Sequence, residues 1–278
     1  MSSQLPDSNS VPDYAGLLRF DGQGAVVLGA GQGIGRQASH ALAQLGARLV
    51  LVDRDQQLAE QIVAEVNAAV GADVATAWVG DITDRPSMNR LAAEAKSTLG
   101  QVDSIVDIVG MAQYKSLLEI DDELWAWHHD ICLRHAMLAM QVFGKQMAEQ
   151  GSGSMVFVAS VSGIQSAPMH SAYGAFKAGL MALVRSAAVE LGPLGVRTNA
   201  VAPGSVWTPR VSVYLGEAGH AKNAENAPLG RVALPADIAA ALLFFASPLS
   251  SYINGQTLVV DGGVIAKFGY PMPDIAKD

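Results

Sequence analysis

A tyrosine and a lysine stand four residues apart, at Tyr173 and Lys177, and Ser160 lies thirteen residues before the tyrosine. Residues i and i+4 of a helix share one face, so the Lys177 ammonium is expected beside the Tyr173 phenol. A neighbouring cation lowers the pKa of a phenol from its ordinary value of about 10 toward the range of acid–base catalysis. The trio therefore predicts a proton-transfer site in which the Ser160 hydroxyl holds a substrate oxygen. Taken alone, the Tyr-x-x-x-Lys pair also fits a solvated pair on a helix surface.

A cluster of glycines lies between a short apolar run and a helical pattern close to the N-terminus. The apolar residues 24–28 predict a buried strand, and the helical spacing of alanine and leucine over 36–45 predicts a helix. Gly29, Gly33 and Gly35 form the turn between them, with the spacing G-x-x-x-G-x-G. Free backbone N–H groups and the positive end of the helix dipole make such a turn an anion site. An isolated glycine cluster can also be no more than a turn.

The apolar run 47–52 ends in an acidic side chain, Asp53, which stands 18 residues after Gly35. Such a continuous run is typical of a parallel strand that is covered on both faces. A carboxylate in this position can accept both ribose hydroxyls of an adenosine and repels a 2′-phosphate. Together with the glycine turn, Asp53 predicts dinucleotide binding with NAD preferred over NADP, although the adjacent Arg54 can attract the phosphate. The alternative for Asp53 is a solvated acid at a strand end.

The composition excludes several classes of protein. The chain has 278 residues, 50% hydrophobic and 16% charged, which is enough for one well-covered α/β domain and short for two. A net charge of −8 without a lysine- or arginine-rich block argues against nucleic acid as a partner. No apolar run approaches the roughly 20 residues of a membrane span, and the polar N-terminal segment lacks a signal-peptide core. The single cysteine rules out an intrachain disulfide, and we expect a cytoplasmic protein.

Predicted strands and helices alternate along the chain without a linker, and one of the predicted helices spans 56–70. Repeated βα units with right-handed crossovers predict a doubly wound parallel sheet, a Rossmann-like fold of three layers, α/β/α. We predict a disordered polar leader over residues 1–18, one domain over 19–267 with a substrate loop at about 205–231, and an extended tail over 268–278. Ligands bind at the carboxyl ends of the strands in such sheets, which is where the glycine turn, Asp53 and Ser160 fall.

In combination, these segments resemble the short-chain dehydrogenase/reductase family, and the resemblance covers about residues 19–267. The matching positions are Gly29, Gly33, Gly35, Asp53, Asp81, Ile82, Ser160, Tyr173, Lys177, 199–204, Val206, Thr208 and 261–263. The resemblance implies that Tyr173 is the general acid–base while hydride moves to or from a nicotinamide. It also implies that Lys177 binds the nicotinamide ribose and lowers the pKa of Tyr173, and that Ser160 polarises the substrate carbonyl.

The resemblance assigns further residues to the cofactor, NAD. It implies that the Asp81 carboxylate and the Ile82 backbone lie near adenine, and that the backbone around Val206 and the Thr208 side chain lie near the carboxamide. The full set expected at the cofactor is Gly29, Gln32, Gly33, Ile34, Gly35, Asp53, Arg54, Asp81, Ile82, Gly110, Tyr173, Lys177, Pro203, Gly204, Val206 and Thr208. Asp81 can also be only a turn former, and Thr208 only a loop residue.

Two positions depart from the family pattern. After the fourth strand the usual Asn-Asn-Ala-Gly is Asp-Ile-Val-Gly, from Asp107 to Gly110, so only the glycine is kept. In the helix predicted over 123–150, Cys132 replaces the asparagine that kinks the helix and holds a relay water in the family. A thiol is a weak donor and acceptor, so the relay is either rebuilt from other groups or impaired. The alternative function is a nicotinamide-binding sensor or assembly protein with impaired redox chemistry.

The same helix carries His128, Cys132 and His135 at i, i+4 and i+7, which puts three potential metal ligands on one face. No fourth ligand is evident in the sequence. We therefore interpret this face as a partly buried one that carries imidazoles, and we expect no metal.

The segment 205–231 is expected to set the substrate, because its apolar side chains can close over an alcohol or ketone. The residues expected at the substrate are Met111, Ser162, Met169, Trp207, Val211 and Tyr214. We predict an NAD-dependent short-chain alcohol dehydrogenase or ketone reductase for a hydrophobic secondary alcohol, with alicyclic and steroid-like compounds as candidates. The family resemblance implies a homo-oligomer, a tetramer or a dimer.

Overall fold

The computed structural model describes residues 9–267, and within them seven strands form one sheet. From β1 to β7 the strands are Gly24–Leu28, Arg48–Asp53, Ala75–Val79, Ser104–Asp107, Gly153–Val158, Val196–Pro203 and Thr257–Val260. All neighbouring pairs are parallel, in the order β3-β2-β1-β4-β5-β6-β7. The strand order reverses between β1 and β4, which confirms the predicted doubly wound, Rossmann-like fold.

Eight α-helices accompany the sheet within the described residues. From α1 to α8 they are Gly33–Gln44, Gln56–Val70, Arg85–Leu99, Asp122–His129, His135–Gln150, Ser171–Leu191, Pro209–Asn226 and Pro235–Ala246. Successive strand residues face opposite layers. Val26 accordingly packs in the core that contains α3, α5 and α6, while Val27 packs in the core that contains α1, α2 and α8. Both faces of the sheet are covered, which explains the continuous apolar runs of its strands.

Local signals set the bounds of several helices. The Asp55 carboxylate accepts a hydrogen bond from Leu58 N at 3.2 Å at the start of α2, which satisfies one of the free N–H groups of the first turn. The helix ends before Gly71, which has a φ of 72°, a conformation that glycine adopts at little cost. The predicted bounds of α2, 56–70, are therefore confirmed.

Two elements differ from the prediction. The single helix predicted over 123–150 is divided into α4, one turn of π-helix over Asp130–Arg134, and α5. The segment predicted as a loop, 205–231, contains α7, which Thr208 caps by accepting a hydrogen bond from Val211 N at 3.2 Å. Gly216 kinks α7 with a φ of 60°. None of the residues of α7 is fully buried, so its apolar residues do not form the stripe that identifies a helix in a sequence.

Residues 1–8 of the predicted leader and the whole predicted tail, 268–278, lie outside the described residues. Within the rest of the leader, Gly16–Leu18 form a short 3₁₀ turn. No helix between residues 9 and 267 has both the length and the apolarity that crossing a membrane requires.

Candidate active site

A cavity of about 1570 Å³ opens at the carboxyl ends of the strands, where the sequence predicts the ligand. Most of the residues expected at the cofactor line it: Gly29, Gln32, Gly33, Ile34, Asp53, Arg54, Asp81, Ile82, Gly110, Pro203, Gly204, Val206 and Thr208. Ser160, Tyr173 and Lys177 line the same cavity. The structure thus brings the predicted cofactor residues and the predicted catalytic trio together.

The glycine turn is tightly packed between β1 and α1. Gly29 and Gly33 have φ angles of 82° and 56°, in the left-handed region that favours glycine. Gly35 does not line the cavity, but a Cβ on Gly35 would collide with the carbonyl oxygen of Gly29. Glycine at this position therefore lets the start of α1 approach the end of β1. The free N–H groups of the first turn of α1 face the cavity and fit the diphosphate of a dinucleotide.

Asp53 lies at the end of β2, on the rim of the cavity. One of its carboxylate oxygens accepts a hydrogen bond from Gly31 N and the other from Asp55 N, each at 3.1 Å. These bonds hold the carboxylate in place, and each oxygen keeps a lone pair for a ribose hydroxyl. The exposed Arg54 stands next to it on the same rim.

We expect Asp53→Ala to lower the preference for NAD over NADP by about ten- to hundredfold. The substitution removes the charge that repels a 2′-phosphate and the charged acceptor of the 2′-hydroxyl, a hydrogen bond worth roughly 1.5–3 kcal/mol. The measurement is the ratio of kcat/KM for the two cofactors. Arg54→Ala is the control, with weaker use of NADP and little change for NAD. An unchanged ratio in Asp53→Ala would show that Asp53 is not the selector.

Two other cofactor candidates also have local structural roles. Asp81 Oδ1 accepts hydrogen bonds from Thr83 N at 2.8 Å and from Thr83 Oγ1 at 2.7 Å, so Asp81 forms the turn after β3 and lines the cavity as well. Thr208 caps α7, and a Cβ on Gly33 would lie 3.3 Å from Thr208 Cγ2. The segment before α7 therefore contacts the glycine turn.

The predicted catalytic trio comes from two elements. Ser160 follows β5, and its Oγ accepts a hydrogen bond from Ser162 N at 3.1 Å while it also bonds the Tyr173 phenol. Tyr173 lies in the first turn of α6, and Lys177 lies one turn later. The Lys177 Nζ atom is 5.9 Å from the centre of the Tyr173 ring. The three polar groups therefore surround one corner of the cavity.

The pKa of the Tyr173 phenol lies above its ordinary value, whereas the sequence predicts a value below it. Burial raises this pKa, and the hydrogen bond from Ser160 opposes burial only in part. The Lys177 ammonium instead donates to the carbonyl oxygen of Val158 at 2.7 Å. The phenol is therefore protonated, which is the form that donates a proton to a ketone oxygen.

Gly110 is the residue that makes room for Lys177. A Cβ on Gly110 would lie only 2.5 Å from Lys177 Nζ. This close approach gives a physical reason for the glycine that survives in the altered motif after β4.

Cys132 is fully buried in the π-helical turn between α4 and α5. Its Sγ donates a weak hydrogen bond to the Met111 carbonyl oxygen at 3.4 Å. Burial raises the pKa of the thiol, so Cys132 is neutral at neutral pH and is not an activated nucleophile. The π turn forms with cysteine in place of asparagine, so the helix is interrupted here without the amide side chain.

The imidazoles of His128 and His135 have separate partners and do not converge with Cys132. Gln113 N donates to His128 Nε2 at 3.1 Å, so this ring is neutral, and burial lowers its pKa. His135 Nε2 lies 3.1 Å from Asp107 Oδ2. The π turn holds one residue more than an α-turn, which rotates the following helix by roughly 100°. Among residues 9–267 no group of three or more His, Cys, Asp or Glu side chains is arranged to hold a metal ion.

The substrate end of the cavity is more polar than the predicted apolar lid. Ser162 Oγ and His170 Nδ1 share a hydrogen bond of 2.9 Å. Tyr114 stacks on His170 with ring centres 4.8 Å apart, and Tyr214 packs against Tyr114 at 4.7 Å. The His170 ring meets the Tyr173 ring edge-on at 6.1 Å. Burial lowers the pKa of His170, so a neutral imidazole stands beside the Tyr173 phenol.

Most of the residues predicted at the substrate line the cavity. The predicted substrate residues that line the cavity are Met111, Ser162, Met169, Val211 and Tyr214. Trp207 is not part of the cavity lining, and its indole packs edge-on against His220 at 4.5 Å, so its place at the substrate stays a prediction. His170 was missed, although it stands at i−3 from Tyr173; Tyr114 was also missed, and no local spacing marks it.

Comparison with known proteins gives one family and several similar enzymes. Residues 29–265 match the family described as enoyl-(acyl carrier protein) reductase. Galactitol 2-dehydrogenase (L-tagatose-forming) of Cereibacter sphaeroides is 37% identical over 255 residues, which cover 90% of this chain and 98% of the relative. Cis-4-hydroxycyclohexanecarboxylate dehydrogenase of Sinomonas cyclohexanicum is 37% identical over 244 residues, 87% of this chain and 96% of the relative. A solved structure, 7α-hydroxysteroid dehydrogenase complexed with NADH and 7-oxo glycochenodeoxycholic acid, has a TM-score of 0.86 at 30% identity and covers 91% of this chain and 98% of that one.

Proposed function

Because the chain belongs to the short-chain dehydrogenase/reductase family of oxidoreductases, we propose that it transfers a hydride between NAD(H) and a secondary alcohol or its ketone. The observation that carries this proposal is a single cavity lined by the glycine turn, Asp53, Ser160, Tyr173 and Lys177. Hydride transfer asks a protein to hold a cofactor and a substrate carbon together and to supply one positioned proton donor. Assembly as a homo-oligomer stays a prediction.

The residues at the carboxyl edge of the sheet fit a dinucleotide. The first turn of α1 offers backbone N–H groups to a diphosphate, and Asp53 offers carboxylate oxygens to the adenosine ribose. Lys177 lines the same cavity and would donate a hydrogen bond to the nicotinamide ribose. NAD supplies the hydride acceptor, and NADH the hydride donor. The negative charge of Asp53 favours NAD over NADP.

The chain's own side chains hold the substrate oxygen and move one proton. In the reducing direction the Tyr173 phenol donates its proton to the ketone oxygen, and the Ser160 hydroxyl donates a second hydrogen bond to the same oxygen. In the oxidising direction the Tyr173 phenolate accepts the alcohol proton. The Lys177 ammonium, 5.9 Å from the ring centre, stabilises the phenolate as it forms.

For the substrate we propose a hydrophobic secondary alcohol or its ketone, with alicyclic and steroid-like compounds as first candidates. The apolar side chains of Met111, Met169 and Val211 on the cavity wall support this class. Two similar proteins are named for a hydroxycyclohexanecarboxylate and a hydroxysteroid. The Ser162–His170 pair adds a polar position near Tyr173, which suits a second oxygen on the substrate.

The experiment that tests the proposed function is turnover of a panel of secondary alcohols with NAD, followed by the absorbance of NADH. The panel contains substituted cyclohexanols, hydroxysteroids and vicinal diols. Turnover of one or more members supports an alcohol dehydrogenase. Tight NADH binding without turnover of any alcohol or matching ketone would refute it and favour the nicotinamide-binding sensor or assembly protein.

We expect Ser162→Ala to lower kcat/KM by about ten- to hundredfold for substrates with a second hydroxyl or carboxylate next to the reacting carbon. The variant removes the hydroxyl that bonds His170, and an unpaired polar group in a closed site costs roughly 1–3 kcal/mol. Simple secondary alcohols should change less than about threefold, because the backbone N–H of residue 162 still bonds Ser160. Ser166→Ala, at another serine on the cavity wall, is the control. Equal losses for both kinds of substrate would contradict a role in specificity.

A further inference from the structure

Lys177 is a buried cation. Its side chain is 1% exposed, and its Nζ donates a hydrogen bond to the Val158 carbonyl oxygen at 2.7 Å. The dipole of a carbonyl group offsets the cost of burying an ammonium ion less than a full negative charge does. Burial accordingly lowers the pKa of this lysine. A site that uses Lys177 as an ammonium ion therefore needs a negative group close to it.

Several titratable groups surround Lys177. Tyr173 on α6, Cys132 in the π turn and Asp107 on β4 interact with it, while His128 on α4 contacts Tyr173 and His135 on α5 contacts Asp107. Tyr173 and Cys132 are neutral at neutral pH, because burial raises the pKa of each. Histidine carries no negative charge in either of its protonation states. Asp107 is therefore the group in this part of the described structure that supplies a negative charge to Lys177.

The sheet places Asp107 close to the ammonium. Asp107 pairs in register with Phe157 on β5, and the next residue, Val158, provides the carbonyl that Lys177 binds. Neighbouring strands lie about 4.8 Å apart, so the carboxylate stands beside the Lys177 site. Asp107 Oδ1 accepts a hydrogen bond from Val109 N at 2.9 Å, which holds the side chain over the end of its own strand. Burial lowers the pKa of Lys177, and negative charge on Cys132 and, second, on Asp107 raises it. The Cys132 thiol is neutral at neutral pH because burial raises its pKa, so Asp107 supplies this effect there.

His135 holds the carboxylate from the other side. Both side chains are 1% exposed, and His135 Nε2 forms a hydrogen bond of 3.3 Å with Asp107 Oδ1. Asp107 Oδ2 lies 3.1 Å from Nε2 but has no hydrogen-bond partner within residues 9–267. His135 Nδ1 is buried and has no hydrogen-bond partner within residues 9–267. A proton on Nδ1 would be an unpaired buried donor, which is costly, so the ring is neutral with its proton on Nε2. A neutral imidazole orients the carboxylate and leaves its negative charge to act on Lys177.

We propose that Asp107, oriented by His135, is the counter-ion that keeps Lys177 protonated and thereby extends the working range of the site to higher pH. Asp107 and His135 are positioning residues, since neither lines the cavity. The catalytic consequence rests on the proposed function, whereas the electrostatic effect of Asp107 on Lys177 does not. This role also accounts for the difference from the family pattern at Asp107. The acid occupies the position of the family's first asparagine, and His135 is its buried partner.

Asp107→Asn tests the proposal, because it removes the charge and nearly preserves the shape. Protonation of Lys177 is followed by competitive labelling with trace acetic anhydride across a pH series, with quantification of the Lys177 peptide by mass spectrometry. An ammonium does not react, so the pH of half-maximal labelling reports the titration of Lys177. We expect this pH to fall by about one to three pH units in Asp107→Asn, the effect of losing one nearby opposite charge. The upper pH limit of kcat/KM should fall by the same amount.

Asp103→Asn is the matched control. Asp103 precedes β4 at the far end of the same strand, where its carboxylate accepts a hydrogen bond from Gly24 N at 2.8 Å, and its substitution should leave the Lys177 titration unchanged. His135→Leu, which takes the N–H donor away from Asp107, should shift the titration in the same direction by a smaller amount. If Asp107→Asn does not fold, His135→Leu serves as the test variant.

Equal half-labelling pH values in wild type and Asp107→Asn, or an equal shift in Asp103→Asn, would overturn the proposal. The labelling needs no cofactor or substrate. The expected shift in a protein that turns over no alcohol would therefore support the counter-ion role of Asp107 and refute the proposed function alone.

Discussion

Tyr173→Phe is expected to lower kcat/KM by about 10²- to 10⁴-fold, the contribution of one positioned acid–base group. The substitution removes the phenol that bonds Ser160 and that burial keeps protonated by raising its pKa. The edge-on ring contacts with His128 and His170 do not need the hydroxyl, so the Kd of NADH should change by less than about threefold. Steady-state rates and NADH fluorescence titrations measure the two quantities separately.

Tyr252→Phe controls for the loss of a hydroxyl in general, because Tyr252 is fully exposed and should keep wild-type kcat/KM. A Tyr173→Phe enzyme that kept more than about a tenth of the wild-type kcat/KM would mean that another group transfers the proton. A loss of NADH binding in the same variant would mean that the hydroxyl is needed to bind the cofactor and not only to transfer a proton.

The second large effect is expected for Gly35→Ala, which should weaken NADH binding by about ten- to hundredfold. The added Cβ would collide with the Gly29 carbonyl, so α1 must move away from β1 or the glycine turn must open. Overpacking of this kind costs about 1–3 kcal/mol, and 1.4 kcal/mol corresponds to tenfold in Kd. The N–H groups of the first turn of α1 then lose their position against the diphosphate. Fluorescence titration with NADH measures the change.

Gly179→Ala is the matched control, since it places the same methyl group in another helix. The new Cβ would lie 3.3 Å from Leu133 Cδ2, the end of a side chain that can shift, and alanine has the higher helix propensity. NADH affinity should therefore stay at the wild-type value. Wild-type affinity in Gly35→Ala as well would show that the diphosphate does not bind at this turn.

Elements with local signals were predicted well. The helix α2 has an acidic cap at Asp55 and a glycine stop at Gly71, and both signals are readable in a single sequence. The helix α7 was missed because its exposed and cavity-facing residues follow no core stripe, although the sequence Thr208-Pro209 is typical of a helix start. The π turn at Asp130–Arg134 was not predicted, because no residue pattern in the sequence identifies one extra residue in a helical turn.

The same difference between local and non-local signals applies to the site. The glycine turn, Asp53 and the Tyr173–Lys177 pair have characteristic spacings, and the structure places all of them on one cavity. The direction of the Tyr173 pKa was predicted wrongly, because sequence shows the neighbouring cation and does not show burial, which is the larger effect. The contact between Asp107 and His135 joins residues 28 apart on different elements, and no local pattern marks such a contact.

The position of Asp53 in the sheet has a consequence for how this enzyme can change over evolution or by engineering. Asp53 ends β2 and Ser160 follows β5, and β1 and β4 lie between these two strands. Three strand spacings amount to roughly 14 Å, beyond the distance at which substitutions usually influence one another. A change of cofactor at Asp53 and a change of substrate at Ser162 should therefore be selectable one at a time, in either order.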